Sequence, residues 1–275
     1  MKTKTALLLC CACYAWQAGS QSLRDPMAST YIQMGAYSSV GQSPFSFTGN
    51  TAALARVKQS GFGIYGERRF MLAPIGMYQL CAVLPSSLGK FGIAVNYAGF
   101  KNFSENSFGL AYGKSLGKRL DLGIRFNYYG YHIPAYPGGA AVNVDIGALV
   151  HITRNCQFGI QVNNPMPVSL GKARQEKLPS TYRFGMGYDA GERFYTGAEI
   201  VKETDKPVNI RASANYRFAR ILFAALGISS DNGSLFGGAG LAWNNMQLDL
   251  SVSYHPQLGF TPGILLIMQQ KPKQP

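Results

Sequence analysis

The sequence predicts an all-β protein, a transmembrane antiparallel β-barrel of about fourteen strands, with twelve as the alternative count. Three observations carry this. From about Gly61 the chain breaks into strand-like pieces near the ten-residue length that crosses an outer membrane. The pieces alternate an apolar stripe with a polar stripe, a period of two, except 219–229, which is apolar on both faces. The connections, taken in order, alternate between a tight style and a longer one.

The pieces are 61–70, 73–84, 89–100, 105–116, 118–133, 140–153 and 155–164, then 179–190, 192–203, 207–218, 219–229, 234–243, 246–255 and 258–268. The tight set of connections is LPSSLGK, SLGKRL, TRN, AGER, FAR and NN. The longer set is GFKNFSEN, IPAYPGGA, MPVSLGKARQEKLPS, ETDKP, SDNGS and HPQLG. In an up-and-down sheet alternate turns lie at the same end. Short turns at one end and longer loops at the other are the pattern of an outer-membrane barrel.

Composition agrees. Of 275 residues 47% are hydrophobic, 12% aromatic and only 14% charged, against about 25% charged in an average globular domain. In 118–133, Leu120, Leu122, Ile124, Phe126 and Tyr128 share one face, and Asp121, Gly123, Arg125, Asn127 and Tyr129 the other. In 207–218, Ile210, Ala212 and Tyr216 oppose Asn209, Arg211, Asn215 and Arg217. In 246–255, Leu248 and Leu250 oppose Asp249 and Ser251. In 140–153, Val142, Val144 and Ile146 oppose Asn143, Asp145 and His151. A soluble sandwich would carry Lys, Glu and Thr on its wet face. Here the lysines sit mostly in loops and at strand ends.

Arginine near the bilayer centre on a lipid-facing surface costs about 2–4 kcal/mol. The polar stripe is therefore predicted to face a hydrated lumen. Its candidates are Asp121, Arg125, Asn127, Asn143, Asp145, His151, Glu199, Arg211, Arg217 and Asp249. Tyr97, Phe100, Tyr128, Tyr131, Trp243 and Tyr254 near strand ends are expected to form an interfacial girdle. A turn centred near Tyr136 would set Asp145 opposite Asn127, diagonal to Arg125, and His151 opposite Asp121. A turn centred near Asp205 would set Glu199 opposite Arg211.

The first residues read as a targeting segment. A basic Met1–Lys4, the apolar run 6–16 and small residues Ala18-Gly19-Ser20 predict a signal peptide over 1–20. Its removal takes three of five cysteines, leaving Cys81 and Cys156, more simply read as two free thiols than as a solitary disulfide. His132, His151 and His255 are scattered, so no metal site is nominated. There is no GxSxG elbow, HExxH helix or GxGxxG after a strand, so no catalytic residue and no cofactor are assigned. Gly237-Gly238-Ala239-Gly240 is read instead as a place where a plug or backbone approaches a strand closely.

Several stretches carry a resemblance: 49–55 (GNTAALA), 62–70 (FGIYGERRF), 126–138 (FNYYGYHIPAYPG) and 254–263 (YHPQLGFTPG). In these the chain resembles the PorV/PorQ-like outer-membrane proteins of the Bacteroidetes, which share the FadL-like barrel. It departs in Thr51, where that family usually has proline, and in its shorter length, which implies reduced loops and plug. The resemblance implies that 21–60 folds into the barrel as a plug or hatch, with Asn50, Thr51 and Leu54 as plug residues, and that Asn50–Lys58 makes a short helix. The barrel then spans 61–268, and 269–275 form a periplasmic tail.

The expected function is non-enzymatic and located in the outer membrane. The resemblance implies an accessory or scaffold role in type IX protein secretion; the alternative is a FadL-like passive channel for small hydrophobic molecules. Expected partners are outer-membrane lipid, lipopolysaccharide (through Lys172, Arg174 and Lys177, in a chain of formal net charge +13) and secretion-system proteins, with nucleic acid excluded.

Overall fold

A computed structural model of the chain describes residues 25–134, 138–170, 176–219 and 221–270. The signal segment 1–20, Lys172, Arg174 and the tail after 270 lie outside the described residues.

The barrel strands are β1 (Gly61–Arg68), β2 (Gly76–Pro85), β3 (Lys90–Phe100), β4 (Phe103–Leu116), β5 (Leu120–His132), β6 (Gly139–His151) and β7 (Cys156–Asn163). They continue with β10 (Thr181–Asp189), β11 (Phe194–Glu203), β12 (Val208–Arg217), β13 (Leu222–Ser229), β14 (Ser234–Trp243), β15 (Met246–His255) and β16 (Gly259–Gln269). Each pairs antiparallel with its chain neighbour, and β1 pairs with β16 to close a fourteen-stranded barrel. Two short strands absent from the sequence reading, β8 (Ser169–Leu170) and β9 (Glu176–Lys177), pair with each other in a separate two-stranded sheet.

The barrel is inside-out relative to a soluble protein. Phe126 is 54% exposed and Leu250 63%, while Asp121 and Asp249 are fully buried. A closed barrel has no free edges, and apolar side chains on its outer face are the distribution that suits a lipid surrounding, where they cost nothing. Of the girdle residues, Tyr97, Phe100, Tyr128, Trp243 and Tyr254 are exposed on the outside. Tyr131 is a correction. It shares inward parity with Tyr129 and packs on the cluster of Tyr129, Ala141, Leu170 and Leu178.

Both barrel termini, Gly61 and Gln269, sit side by side at one end, with the tight turns. There Trp243 pairs with Met246 across Asn244–Asn245, and Asn244 takes φ +57°, a left-handed conformation asparagine tolerates. The opposite, loop end is less elaborate than expected. GFKNFSEN forms no loop: β3 and β4 pair through to Phe100 and Phe103, leaving a two-residue turn. The Phe100 and Phe103 rings lie 6.4 Å apart, and Asn96 donates to Ser107 Oγ at 2.8 Å, so the ladder continues where a loop was expected. The segment between β7 and β10 remains long, and it folds against the lumen wall through Leu170 and Leu178.

Inside the barrel lies the chain from Asp25 to Val57. It forms a one-turn α-helix (Thr30–Met34), a 3₁₀ turn (Gly35–Tyr37), a second short helix (Ser46–Gly49) and a 3₁₀ helix (Thr51–Arg56). Asn50 caps the last, its side chain accepting the Ala52 N–H. Leu54 and Phe47 reach Gly92 of β3, and Tyr31, Phe45, Phe47 and Leu54 build one core with Tyr65, Phe236 and Leu265.

A candidate lumen site and its hatch

The inward faces of the strands are cut to admit the N-terminal segment. A Cβ at Gly123 would stand 2.3 Å from the Thr51 backbone, and one at Gly187 would stand 2.0 Å from the Tyr37 carbonyl oxygen. Inward glycines on neighbouring strands thus make a trough that any side chain would fill. Of the run singled out in the sequence, Gly238 lies beneath the Tyr31 ring, with its hydroxyl 2.5 Å from a notional Cβ. The trough glycines of β5, β6, β7 and β10 were not singled out. Their signal was present, since Gly123, Gly147, Gly159, Gly185 and Gly187 all fall on the inward parity.

Polar contacts hang the segment on the wall. At its upper end the Glu67 carboxylate accepts the backbone N–H groups of Met27 and Ala28, the Tyr65 hydroxyl at 2.7 Å and Arg69 Nε at 3.0 Å. Arg183 Nη2 donates to Asp25 at 2.6 Å, and Arg69 donates to the Asp25 carbonyl. Ser38 and the Ser39 N–H bind Asp189. Lower down, Asn50 donates to the carbonyls of Ala148 and Ile160, and Thr51 donates to Gln161 Oε1. Arg56 Nε lies 2.7 Å from Asp121 Oδ2. Glu67, Arg69 and Arg183 were missed from the sequence, although the same alternation places Glu67 and Arg183 inward on β1 and β10 and continues to Arg69 just past the end of β1.

The predicted lumen residues fall into separate groups. Arg125, Asn127, Asn143 and Asp145 converge: Arg125 Nη2 and Asn127 Nδ2 both donate to Asp145 Oδ2, at 2.7 and 2.8 Å, and Asn127 donates to Asn143 at 2.9 Å. Asp121 and His151 meet at the terminal end, with Nε2 2.5 Å from Oδ2, beside Arg56. The β5–β6 register corrects the expectation by two residues. Asp145 pairs with Arg125, and Asp121 with Leu149, so His151 is diagonal to Asp121 rather than opposite it. The ladder centre falls midway between 125 and 145, one residue before Tyr136. A shift of two preserves parity, so every side chain keeps its predicted face. On β11 and β12 Glu199 pairs with Arg211, at 3.3 Å. Asp249 receives Gln247 at 3.1 Å and the Tyr31 hydroxyl at 3.4 Å. Arg217 has inward parity but is exposed at the terminal end, because β12 finishes there and the wall no longer covers it. Cys81 and Cys156 are free thiols on different strands.

Above the segment a cavity of about 410 Å³ reaches the loop end. Its floor is Asp25, Thr30 and Gln33, its wall is carboxamide and guanidinium, and its rim includes Glu203 and Lys206. Below the segment lies a smaller cavity of about 70 Å³, bordered by Tyr31, Gln247 and Asp249. The single turn Thr30–Met34 thus separates two spaces, with Thr30 and Gln33 facing one and Tyr31 the other. Among the described residues no group of His, Cys, Asp and Glu has the arrangement of a metal site.

Barrel, internal segment and divided lumen together define a type of structure, a closed fourteen-stranded barrel built like outer-membrane channels. No protein-family model matches the chain, and no curated protein matches its sequence. Solved structures do match in fold. The chain is similar to the CymD monoaromatic hydrocarbon channel (10% identity, 90% of this chain and 98% of that one, TM-score 0.65). It is also similar to the Ralstonia pickettii toluene transporter TbuX (10% identity, 82% and 92%, TM-score 0.60). A Pseudomonas aeruginosa FadL homologue matches at 9% identity over 89% and 97%, with TM-score 0.60. These likenesses establish a FadL-like fold, and two of the three proteins are named as a channel and a transporter.

Proposed function

We propose that this protein is a non-enzymatic passive channel of the outer membrane, with FadL-like build, held shut by its own N-terminal segment. The observation that carries this reading is the septum. One helical turn, Thr30–Met34, separates a cavity reaching the loop end from a smaller one toward the terminal end. Around it the segment is held by hydrogen bonds, ion pairs and the packing of Tyr31, Phe45, Phe47 and Leu54, none of which belongs to a strand ladder. Passage requires only that this turn and its neighbours move, a motion of the kind loops make in microseconds to milliseconds.

In this reading the terminal end faces the periplasm, where a cleaved signal would leave the N-terminus. The outer surface meets lipid, and Lys177 at the loop end meets lipopolysaccharide. The type IX accessory role implied by the sequence resemblance has less support. Most loop-end connections are short turns, and the longest folds onto the lumen wall, so the described residues offer no arm to hold a client protein.

Flux into proteoliposomes tests the proposal. The full chain should pass small solutes slowly. A Glu67→Ala variant, which loses the acceptor for Met27 and Ala28, should pass them faster. The proposal fails if proteolysis shows the segment released and solutes still do not cross.

A further inference from the structure

The proteins that share this fold carry hydrocarbons, by their names, but the cavity above the hatch is not a hydrocarbon site. Leu178, Val201, Val208 and Phe236 contribute to its lining, but the larger share is hydrogen-bonding side chains in rows set by strand register. Gln79 of β2 pairs with Asn96 of β3, which pairs with Ser107 of β4. Asn127 pairs with Asn143, and Asp145 pairs with Asn163 of β7. All of these line the cavity. A wall of this kind holds water firmly. An apolar molecule entering would strip that water and return no hydrogen bond.

Nor is the cavity built for a simple anion, although four arginines border it. Each already has a carboxylate partner: Arg69 has Glu67 (3.0 Å), Arg125 has Asp145 (2.7 Å), Arg183 has Asp25 (2.6 Å) and Arg211 has Glu199 (3.3 Å). Lys206 at the rim pairs with Glu203 at 3.0 Å. With the charges cancelled in pairs, a free anion would meet little net field. Donors and acceptors remain, in fixed positions on the strand faces that line the cavity.

Resting on the channel reading above, we infer that this cavity is a binding site for small, neutral, polyhydroxylated solutes of the saccharide class. A hydroxyl donates and accepts at once, so it satisfies carboxamides and paired ions alike without disturbing the pairs. A pyranose presents such a group on almost every carbon. The volume, about 410 Å³, falls in the usual range for small-molecule sites, and at roughly 30 Å³ per water it holds on the order of a dozen waters for a sugar to replace. The hatch provides the floor through Thr30 and Gln33, so occupancy and gating share residues.

Ligand-detected NMR on the full chain in a sugar-free detergent tests this, with glucose, sucrose, acetate and toluene as separate probes and empty micelles as the blank. Glucose or sucrose should show contact at millimolar concentration. Binding should weaken at least about tenfold in Asn127→Leu/Asn143→Leu, as expected when a site built to bond hydroxyls loses its partners. Asn96→Ala gives a second, milder variant in case the double one does not fold, checked by gel mobility before and after heating. The inference is overturned if toluene or acetate binds in place of the sugars, if no probe binds, or if sugar binding survives both variants. The channel reading has its own readout. Sugar binding without flux in the Glu67→Ala proteoliposomes removes the channel and leaves the site. Flux of a small water-soluble solute such as acetate without sugar binding removes the site and leaves the channel.

Discussion

Glu67 and Ala28, 39 residues apart in sequence, are joined by a 3.0 Å hydrogen bond from the Ala28 backbone N–H to the Glu67 carboxylate. That bond ties the upper end of the internal segment to the first barrel strand. The same carboxylate also receives Met27, Tyr65 and Arg69.

Removing it takes the carboxylate partner from the buried Arg69 guanidinium and the acceptor from two backbone donors. Glu67→Ala should therefore lower unfolding stability by about 3–5 kcal/mol, the range for breaking one side of a buried pair. Protease should also cut between residues 25 and 57 in intact vesicles. Urea unfolding and limited proteolysis read the two effects, and an unchanged digestion pattern would remove Glu67 from its anchoring role.

A second prediction concerns fit. Tyr37 lies so close to β10 that a Cβ at Gly185 would stand 2.1 Å from its ring. Gly185→Val should push Tyr37 out and raise solute flux, while leaving the outward face of β10 untouched. Adding Tyr37→Gly should restore closure in part, because it reopens the space. A barrel that stays equally shut in the single variant would show that this contact does not position the segment.

Arg125 and Asp145 give a third test. Asp145→Ala removes the carboxylate partner of Arg125 and one of the acceptors of Asn127 and of the Asn164 N–H, all of which donate to that carboxylate. We expect a loss of about 3–5 kcal/mol, and a smaller one for Asp145→Asn, which keeps an acceptor. Comparable stability of both variants and the wild type in a urea series would contradict the assignment.

The fourth prediction is a pH dependence. Burial raises the Asp25 carboxyl, but Arg183, Arg211, Arg125 and Arg69 more than offset this, and its pKa lies below the ordinary 3.8. A depressed carboxyl stabilises above its unfolded value and loses that contribution as pH falls through the folded one. Asp25 is 52% exposed, so screening keeps the contribution modest. The hatch should hold from neutral pH down through the ordinary carboxylate range and loosen below it. Flux against pH should show a step that is absent in Asp25→Asn. A step at the same pH in that variant would assign it to another group.

The particular residues show what a linear reading can reach. Val142, Asn143, Val144 and Asp145 alternate in the sequence and alternate between lipid and lumen in the barrel, because a strand has a period of two. The up-and-down order of about fourteen strands, with twelve left open, follows from that rule and from the spacing of turns, and the closed barrel has fourteen. The same rule held unused information. Glu67, Arg183 and the trough of inward glycines sit on the parity that nominated Asp145, but only the contacts of the internal segment show what they are for.

The sequence by itself therefore determined the closed barrel, its inverted faces and the polar lumen, since these depend on local alternation and on the solvent each face meets. The tertiary structure decided the rest. It set the β5–β6 offset, which a two-residue slip leaves invisible to parity. It turned an expected loop into a two-residue turn at Phe100 and Phe103. It brought Asp25, Arg183 and Asn127 around one cavity, because a barrel's closure places side by side in the lumen residues that lie a hundred positions apart in the chain.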